Sequence, residues 1–463
     1  MTETKASSLE HAPASRTQWL ITLYAGGGEF CDGYILSIIG VALPLLTVSF
    51  SLSAVGAGLL GAASLVGMFF GGMIFGAVTD KFGRQKIYLA DLACFVVLSA
   101  LQFFATEPWQ LIVLRTLMGV AIGADFAIAA TIASEFAPQK SRGPLLVMLV
   151  TMFSVGAAVA YGVGWWMLRL GPEAWRWMLA SSAIPALLIL FMRLGTPESP
   201  RWLLSKGRAD EADAVLKKML GPDASIADIA EPEDTPTGYR TIFQGEYRRR
   251  TIFIALFWAC QLLPIYAIAT YEPTILESFG LAEGSSAYLG AVLIQIFYVV
   301  GSLSGILFIN RGRRKLLLGS FAISALPLLG LAVLAQPPVW LVLLLFAVFG
   351  VAMYSGQCLE AIYPSELFPT GVRATANGFA TGASRIGAAI GVYGAPHLLD
   401  HSVQLAMLVG AGICGLGWLV TYLMAPETKG KLLTESSAVS RPAGALEVKT
   451  AAVSDGTPAE TPL

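Results

Sequence analysis

GAVTDKFGRQK (residues 76–86) and GILFINRGRR (residues 305–314) read as one stretch of chain written twice. In each an apolar run gives way to a basic turn with a glycine in it, and a second apolar run follows at once. Asp80 falls on Ile309, Gly83 on Gly312 and Arg84 on Arg313. Glu135-x-x-Pro138-x-x-x-Arg142 likewise matches Glu366-x-x-Pro369-x-x-x-Arg373, and Pro197-Glu198 matches Pro426-Glu427. Three matched pairs at nearly one offset make the chain a duplication of two halves.

Around these turns the sequence is built for lipid. It is 55% hydrophobic and 13% charged over 463 residues, with a mean hydropathy of +0.67, whereas a soluble domain is about 25% charged. A bilayer core of about 30 Å takes roughly 20 apolar residues per helix. That ruler predicts twelve spans, at about 18–48, 53–79, 86–105, 109–134, 144–168, 175–194, 251–272, 286–309, 315–334, 338–362, 374–398 and 402–424. The fold class is an all-α membrane protein of twelve transmembrane helices in two pseudo-symmetric six-helix bundles.

The organisation follows: a tail over 1–17, a first bundle over 18–195, a linker over 196–250, a second bundle over 251–425 and a largely disordered tail over 426–463. Basic residues gather in alternate loops, from Lys81, Arg84 and Lys86 to Lys140 and Arg142 and on to Arg311 through Lys315, while the other loops hold Arg169 and Arg176. This asymmetry puts the basic side, with both termini, in the cytoplasm of an inner or plasma membrane. Residues 1–17 are polar and lead into a run long enough to cross, so the first span is expected to stay attached.

Several function classes drop out. The net charge of −1 and the scattered Lys and Arg residues give no nucleic-acid surface. Cys31, Cys94, Cys260, Cys358 and Cys414 have no metal-ligand spacing and read as small core residues. His11, His397 and His401 fall in a tail or a loop, too shallow for a proton relay. No nucleophile elbow or phosphate loop appears, so neither an enzyme nor a metal or other cofactor is expected.

The residues quoted above resemble the major facilitator superfamily over roughly 18–430. GAVTDKFGRQK is similar to its signature loop, and Arg115-x-x-x-Gly119-x-x-x-Gly123 to its fourth-helix motif. Pro197-Glu-Ser-Pro-Arg201-Trp202-Leu203, Pro426-Glu-Thr-Lys-Gly430 and the Glu135 and Glu366 blocks resemble the sugar porter subgroup. Met152 and Cys260-Gln261-Leu-Leu-Pro264 stand where that subgroup carries polar sugar-binding residues, which argues against a hexose. Gly123-Ala-Asp125-Phe, with Asp32, resembles phosphate:proton symporters. Asp32-Gly33-Tyr34 and Gly382-Ala-Ser-Arg385-Ile-Gly387 resemble aromatic-acid transporters, and both lines point to an anionic solute.

A charged side chain within a span is costly and is kept when it pairs, faces water or works. Asp32 lies roughly 22 Å along the first helix at 1.5 Å per residue, and Glu29 is one turn earlier on the same face. Asp125 has a comparable depth in the fourth helix. The resemblance implies that helices one, four, seven and ten line a central cavity, so Asp32 and Asp125 are expected to face each other across water and exchange a proton, with Glu29 beside them. Arg385 needs an anion, which is either a solute carboxylate or phosphate or one of the buried acids. Glu360 reads as a structural or gating pair. Trp258, Gln261, Tyr266, Tyr354 and Gln357 fall on expected cavity helices as solute contacts. Pro264 and Pro273 are expected to bend or interrupt the seventh helix.

The cytoplasmic set Gly76, Asp80, Gly83, Arg84, Glu135, Arg142, Arg313, Glu366 and Arg373 is implied by the resemblance to be a salt-bridge gate between bundles. With Ile309 in place of an acid, that gate is expected to be lopsided. The expected function is proton-coupled symport of a small organic solute, probed against a proton-driven exporter and a non-transporting nutrient sensor. A monomer in the lipid bilayer with a solute and protons as partners completes the expectation.

Overall fold

A computed structural model describes residues 16–429 apart from 137–141, 195, 221–225, 227–238, 282–284 and 369. The tail from 430 and His11 lie outside the described residues, and no strand occurs among them. Lipid leaves a spanning backbone no other partner than itself, so the apolar runs close their hydrogen bonds as helices. Twelve spans result: α1 (Arg16–Phe50), α2 (Ala54–Phe82), α3 (Arg84–Gln102), α4 (Pro108–Phe136), α5 (Arg142–Met167) and α6 (Ala174–Ser181 with Ala183–Arg193) form the first half. The second half is α7 (Gly245–Thr270), α8 (Ser285–Phe308), α9 (Arg313–Val333), α10 (Val339–Gln357 with Leu359–Leu367), α11 (Thr370–His401) and α12 (Val403–Met424). Among the described residues ten of these are long and apolar enough to cross a membrane.

Three details depart from the sequence expectation. Pro264 lies inside α7 without interrupting it; the break comes at Tyr271, after which Pro273 opens a short half-helix, Glu272–Ser278. Proline suits that position because the first-turn N–H has no helical partner to lose. His397 and His401 sit in the last turns of α11 instead of a loop. Cys94 is exposed on α3, so it is a lipid-side residue, while the other four cysteines are buried. The linker also carries helices at Pro200–Ser205 and Ala209–Leu220.

Packing repeats between the halves. α1 packs on α5 as α7 packs on α11, α2 on α4 as α8 on α10, and α3 on α6 as α9 on α12. The halves meet where α11 lies along α2 and α8 along α5. Close approach depends on glycine: a Cβ at Gly33 would collide with the Phe153 carbonyl of α5, and one at Gly156 with the Phe30 carbonyl of α1. Such small-residue contacts let membrane helices bring their backbones together.

The duplicated motif also has a mechanical meaning. Gly83 (φ 100°) and Gly312 (φ 131°) turn the chain into α3 and α9, a backbone conformation in which glycine has no Cβ to clash. Glu198 Oε1 accepts the Arg84 N–H at 3.0 Å, and Glu427 Oε1 accepts the Arg313 N–H at 3.0 Å. Both pairs are 229 positions apart (313 − 84 and 427 − 198). Each carboxylate thus caps the positive end of a helix from the far end of its own half.

Candidate functional site

A small cavity lies where the halves face each other. Ser37 and Phe153 line it from α1 and α5, and Tyr266, Thr270, Tyr354 and Gln357 from α7 and α10. Tyr266, Tyr354 and Gln357, three of the expected solute contacts, are thus lining residues. Trp258 and Gln261 lie behind the wall. Gln261 is fully buried and donates through Nε2 to the Met353 carbonyl at 3.2 Å.

Charge collects around Tyr266. Glu29, Asp32, Glu360 and Arg385 all lie within electrostatic reach of its hydroxyl, and none is more than 7% exposed. Glu29 and Asp32 come from the first half, Glu360 and Arg385 from the second. Arg385 is within reach of all three acids. Trp258 faces Glu360, yet neither its Nε1 nor Glu360 Oε1 completes a hydrogen bond.

Asp125 stands elsewhere than expected. It is fully buried inside the first half, close to Asp32 and Tyr88, instead of facing Asp32 across water. A Cβ at Gly28 would collide with both the Tyr88 hydroxyl and Asp125 Oδ2, so α1, α3 and α4 meet at this point. The physical reason is that α4 turns Gly119 and Gly123 toward Ser64 and Met68 of α2, which aims Asp125 at α1 and α3. Two further groups enter the cluster without having been singled out in the sequence. Asp91 of α3 is 4% exposed and interacts with Asp125. Arg193 holds its guanidinium 3.2 Å from the Tyr88 ring centroid and donates through Nε to the Tyr24 carbonyl at 3.3 Å. Two carboxyls in reach of each other in a dry site can both stay only if a proton lies between them.

At the end of the cavity away from the basic loops, α7 seals against the first half. The Tyr161 hydroxyl donates to the Ala269 carbonyl and the Tyr271 hydroxyl to the Ala57 carbonyl. Beside this seal, Glu272 is buried and accepts from Gln295 Nε2 at 2.9 Å and from the Tyr298 hydroxyl at 3.2 Å. Tyr298 stacks on Tyr354 with centroids 4.6 Å apart, so a wall of the cavity connects through two rings to the α7 break. Glu272 escaped the sequence reading because it sits at the last position assigned to span seven.

The cytoplasmic gate is described in part. The side chains of Gly76, Asp80, Glu135, Arg142 and Arg373 lie outside the described residues. Of the rest, Arg313 pairs with Glu366 at 3.0 Å and the Thr428 hydroxyl reaches the same carboxylate, while Arg84 donates to Ser199 Oγ at 3.3 Å. These contacts stay within one half. With no acid at Ile309, Arg313 turns to Glu366 of its own bundle.

Comparisons with known proteins agree with this architecture. Residues 16–439 match the family described as Sugar (and other) transporter. The metabolite transport protein YaaU of Escherichia coli strain K12 is 41% identical over 421 residues, covering 90% of this chain and 94% of that one. The inner membrane metabolite transport protein YgcS of the same strain is 38% identical, covering 91% and 94%. Among solved structures, the xylose transporter XylE from E. coli, in a partially occluded inward open conformation, superimposes with a TM-score of 0.78 at 23% identity, over 90% of this chain and 100% of that one. A further structure describes XylE as a proton:xylose symporter.

Proposed function

Because the chain belongs to the sugar (and other) transporter family, whose members are membrane carriers and not enzymes, we propose that it is a secondary active transporter coupling proton movement to the symport of a small organic acid by alternating access. The observation that carries the proposal is the Asp32–Asp125 carboxyl pair, buried on the helices beside the cavity and able to hold one proton between its members. Asp32 belongs both to that pair and to the ring of charge around Tyr266, so its protonation can be felt where a solute sits. Arg385 supplies the cation for an acid group. An acid is favoured over a hexose because Arg385 lies within electrostatic reach of the lining Tyr266 and Gln261 is turned away to the Met353 carbonyl. Under this reading both termini are cytoplasmic and the working unit is a monomer.

The test uses purified protein in liposomes with an internal pH dye and a panel of organic acids outside. Symport predicts that an added solute acidifies the lumen. Alkalinisation would identify proton-driven export instead, a reading the carboxyl pair serves equally well. Absence of labelled-solute counterflow, with binding retained, would identify a sensor.

A further inference from the structure

We propose that the end of α12 on the basic-loop side holds an anionic phospholipid, its phosphate gripped by Arg249 and Arg314 and its chains laid over the outward face of α12. The site is separate from the solute cavity and independent of what the carrier moves. It is built by two long side chains from different helices, since α12 packs against both α7 and α9. From α7, Arg249 donates through Nη2 to the Leu423 carbonyl at 3.0 Å; from α9, Arg314 donates through Nη2 to the Tyr422 carbonyl at 2.8 Å. Consecutive carbonyls thus draw two guanidiniums to one spot.

The end of a helix carries partial negative charge, and a basic side chain there is an ordinary cap. Two permanent cations at one helix end ask for more, because arginine cannot shed its proton to escape a like charge. Among the described residues no carboxylate lies within ion-pair distance of either. Glu427, just past the end of α12, is committed to the backbone N–H groups of Arg313, Thr428 and Lys429. Arg248, Arg311 and Lys315, next to the pair in sequence, are exposed and basic as well. A phosphate set between the two forks answers them, since it offers an oxygen to each.

Position favours a lipid as its carrier. Tyr247–Thr270, Arg313–Val333 and Val403–Met424 are the stretches of α7, α9 and α12 apolar enough to cross the membrane. Arg249, Arg314 and Tyr422 each stand at the end of one of them, where headgroups begin. Tyr422 is 53% exposed and lies flat against Trp418 with centroids 5.3 Å apart, and the Arg314 guanidinium is 5.6 Å from the Tyr422 ring centroid. Such rings mark the membrane interface, and basic pockets between helices at that depth recognise anionic headgroups. Leu419 and Leu423 are exposed on the same helix as a bed for acyl chains.

The experiment is a thermal-shift titration of the purified full chain in detergent. The probes are phosphatidylglycerol, phosphatidylcholine with the same chains, and glycerol 3-phosphate. Phosphatidylglycerol is expected to half-saturate at a concentration roughly tenfold below phosphatidylcholine, the usual size of one charge-assisted hydrogen bond. Arg249→Gln and Arg314→Gln are each expected to erase that preference, while Arg169→Gln, at the opposite end of the molecule, keeps it. Equal stabilisation by the two lipids in the parent, or a preference that survives both arginine changes, would overturn the proposal. So would variants that melt earlier by the same amount in either lipid, the mark of a helix cap alone. Stabilisation by glycerol 3-phosphate to the level of phosphatidylglycerol would assign the site to a soluble phosphate and overturn the lipid. Should either glutamine variant fail to fold, Arg249→Lys and Arg314→Lys take its place: they keep the charge, lose the fork, and are expected to weaken the preference severalfold.

Discussion

The Tyr271 hydroxyl donates to the Ala57 carbonyl at 3.2 Å, joining the point where α7 breaks to the start of α2 in the other half. The bond spans the two bundles at the sealed end of the cavity, so opening that end must break it.

Removing the hydroxyl tests this. Tyr271→Phe keeps the ring and loses a hydrogen bond worth about 0.5–1.5 kcal/mol, which corresponds to a roughly two- to tenfold shift toward the opened form. The readout is the labelling rate of Thr270→Cys by a membrane-impermeant maleimide. A several-fold acceleration in the Tyr271→Phe background is expected, and an unchanged rate would mean that this bond does not hold the seal.

Asp32→Asn should uncouple the carrier. The amide keeps the shape of the carboxyl but cannot take up or release a proton. Solute-driven acidification of liposomes is therefore expected to vanish while counterflow of labelled solute persists. Asp125→Asn should act the same way, since it removes the second half of the same proton site. Acidification that survives both changes would rule out this pair as the coupling site.

Glu272 offers a test of stability. Glu272→Ala leaves Gln295 Nε2 and the Tyr298 hydroxyl buried without an acceptor, at a cost of about 1–3 kcal/mol for each orphaned group. Glu272→Gln retains one acceptor oxygen and should cost less. The order of melting temperatures is expected to be parent, Glu272→Gln, Glu272→Ala. Because Tyr298 stacks on Tyr354, the alanine variant should also bind solute more weakly.

The two carboxylates at the helix ends should differ from an ordinary ion pair. Glu427→Ala removes the acceptor for the Arg313 N–H and is expected to cost about 0.5–2 kcal/mol, the usual loss of a helix cap. Glu366→Gln breaks a partly exposed pair with Arg313, worth about 0–1 kcal/mol. Melting curves of the two variants should therefore separate, with Glu427→Ala the less stable. Equal stabilities would show that the cap contributes no more than the pair.

The duplication and the twelve spans were legible because lipid imposes a simple rule of length and apolarity, and because loops concentrate the charges that set the register. Intramembrane acids were legible for the same reason: Asp32 and Asp125 stand out where almost nothing is charged. What the sequence could not supply was rotation. Depth along α4 follows from counting residues, but the direction of Asp125 depends on which face Gly119 and Gly123 press against α2. Asp91 was passed over because it lies five residues past the basic turn at Lys86, where a polar residue invites no remark. Glu272 was passed over because a broken helix looks, in one dimension, like a helix that has ended. The cavity's aromatic wall was found only in part: Tyr266 and Tyr354 were marked, and Phe153, an unexceptional phenylalanine on α5, was not.

Glu198 and Glu427 each buckle the end of a half onto its own third helix, so each set of six helices is drawn into a hoop by its own chain. Two such hoops supplied as separate polypeptides would retain every clasp described above and would have only their shared seam left to find.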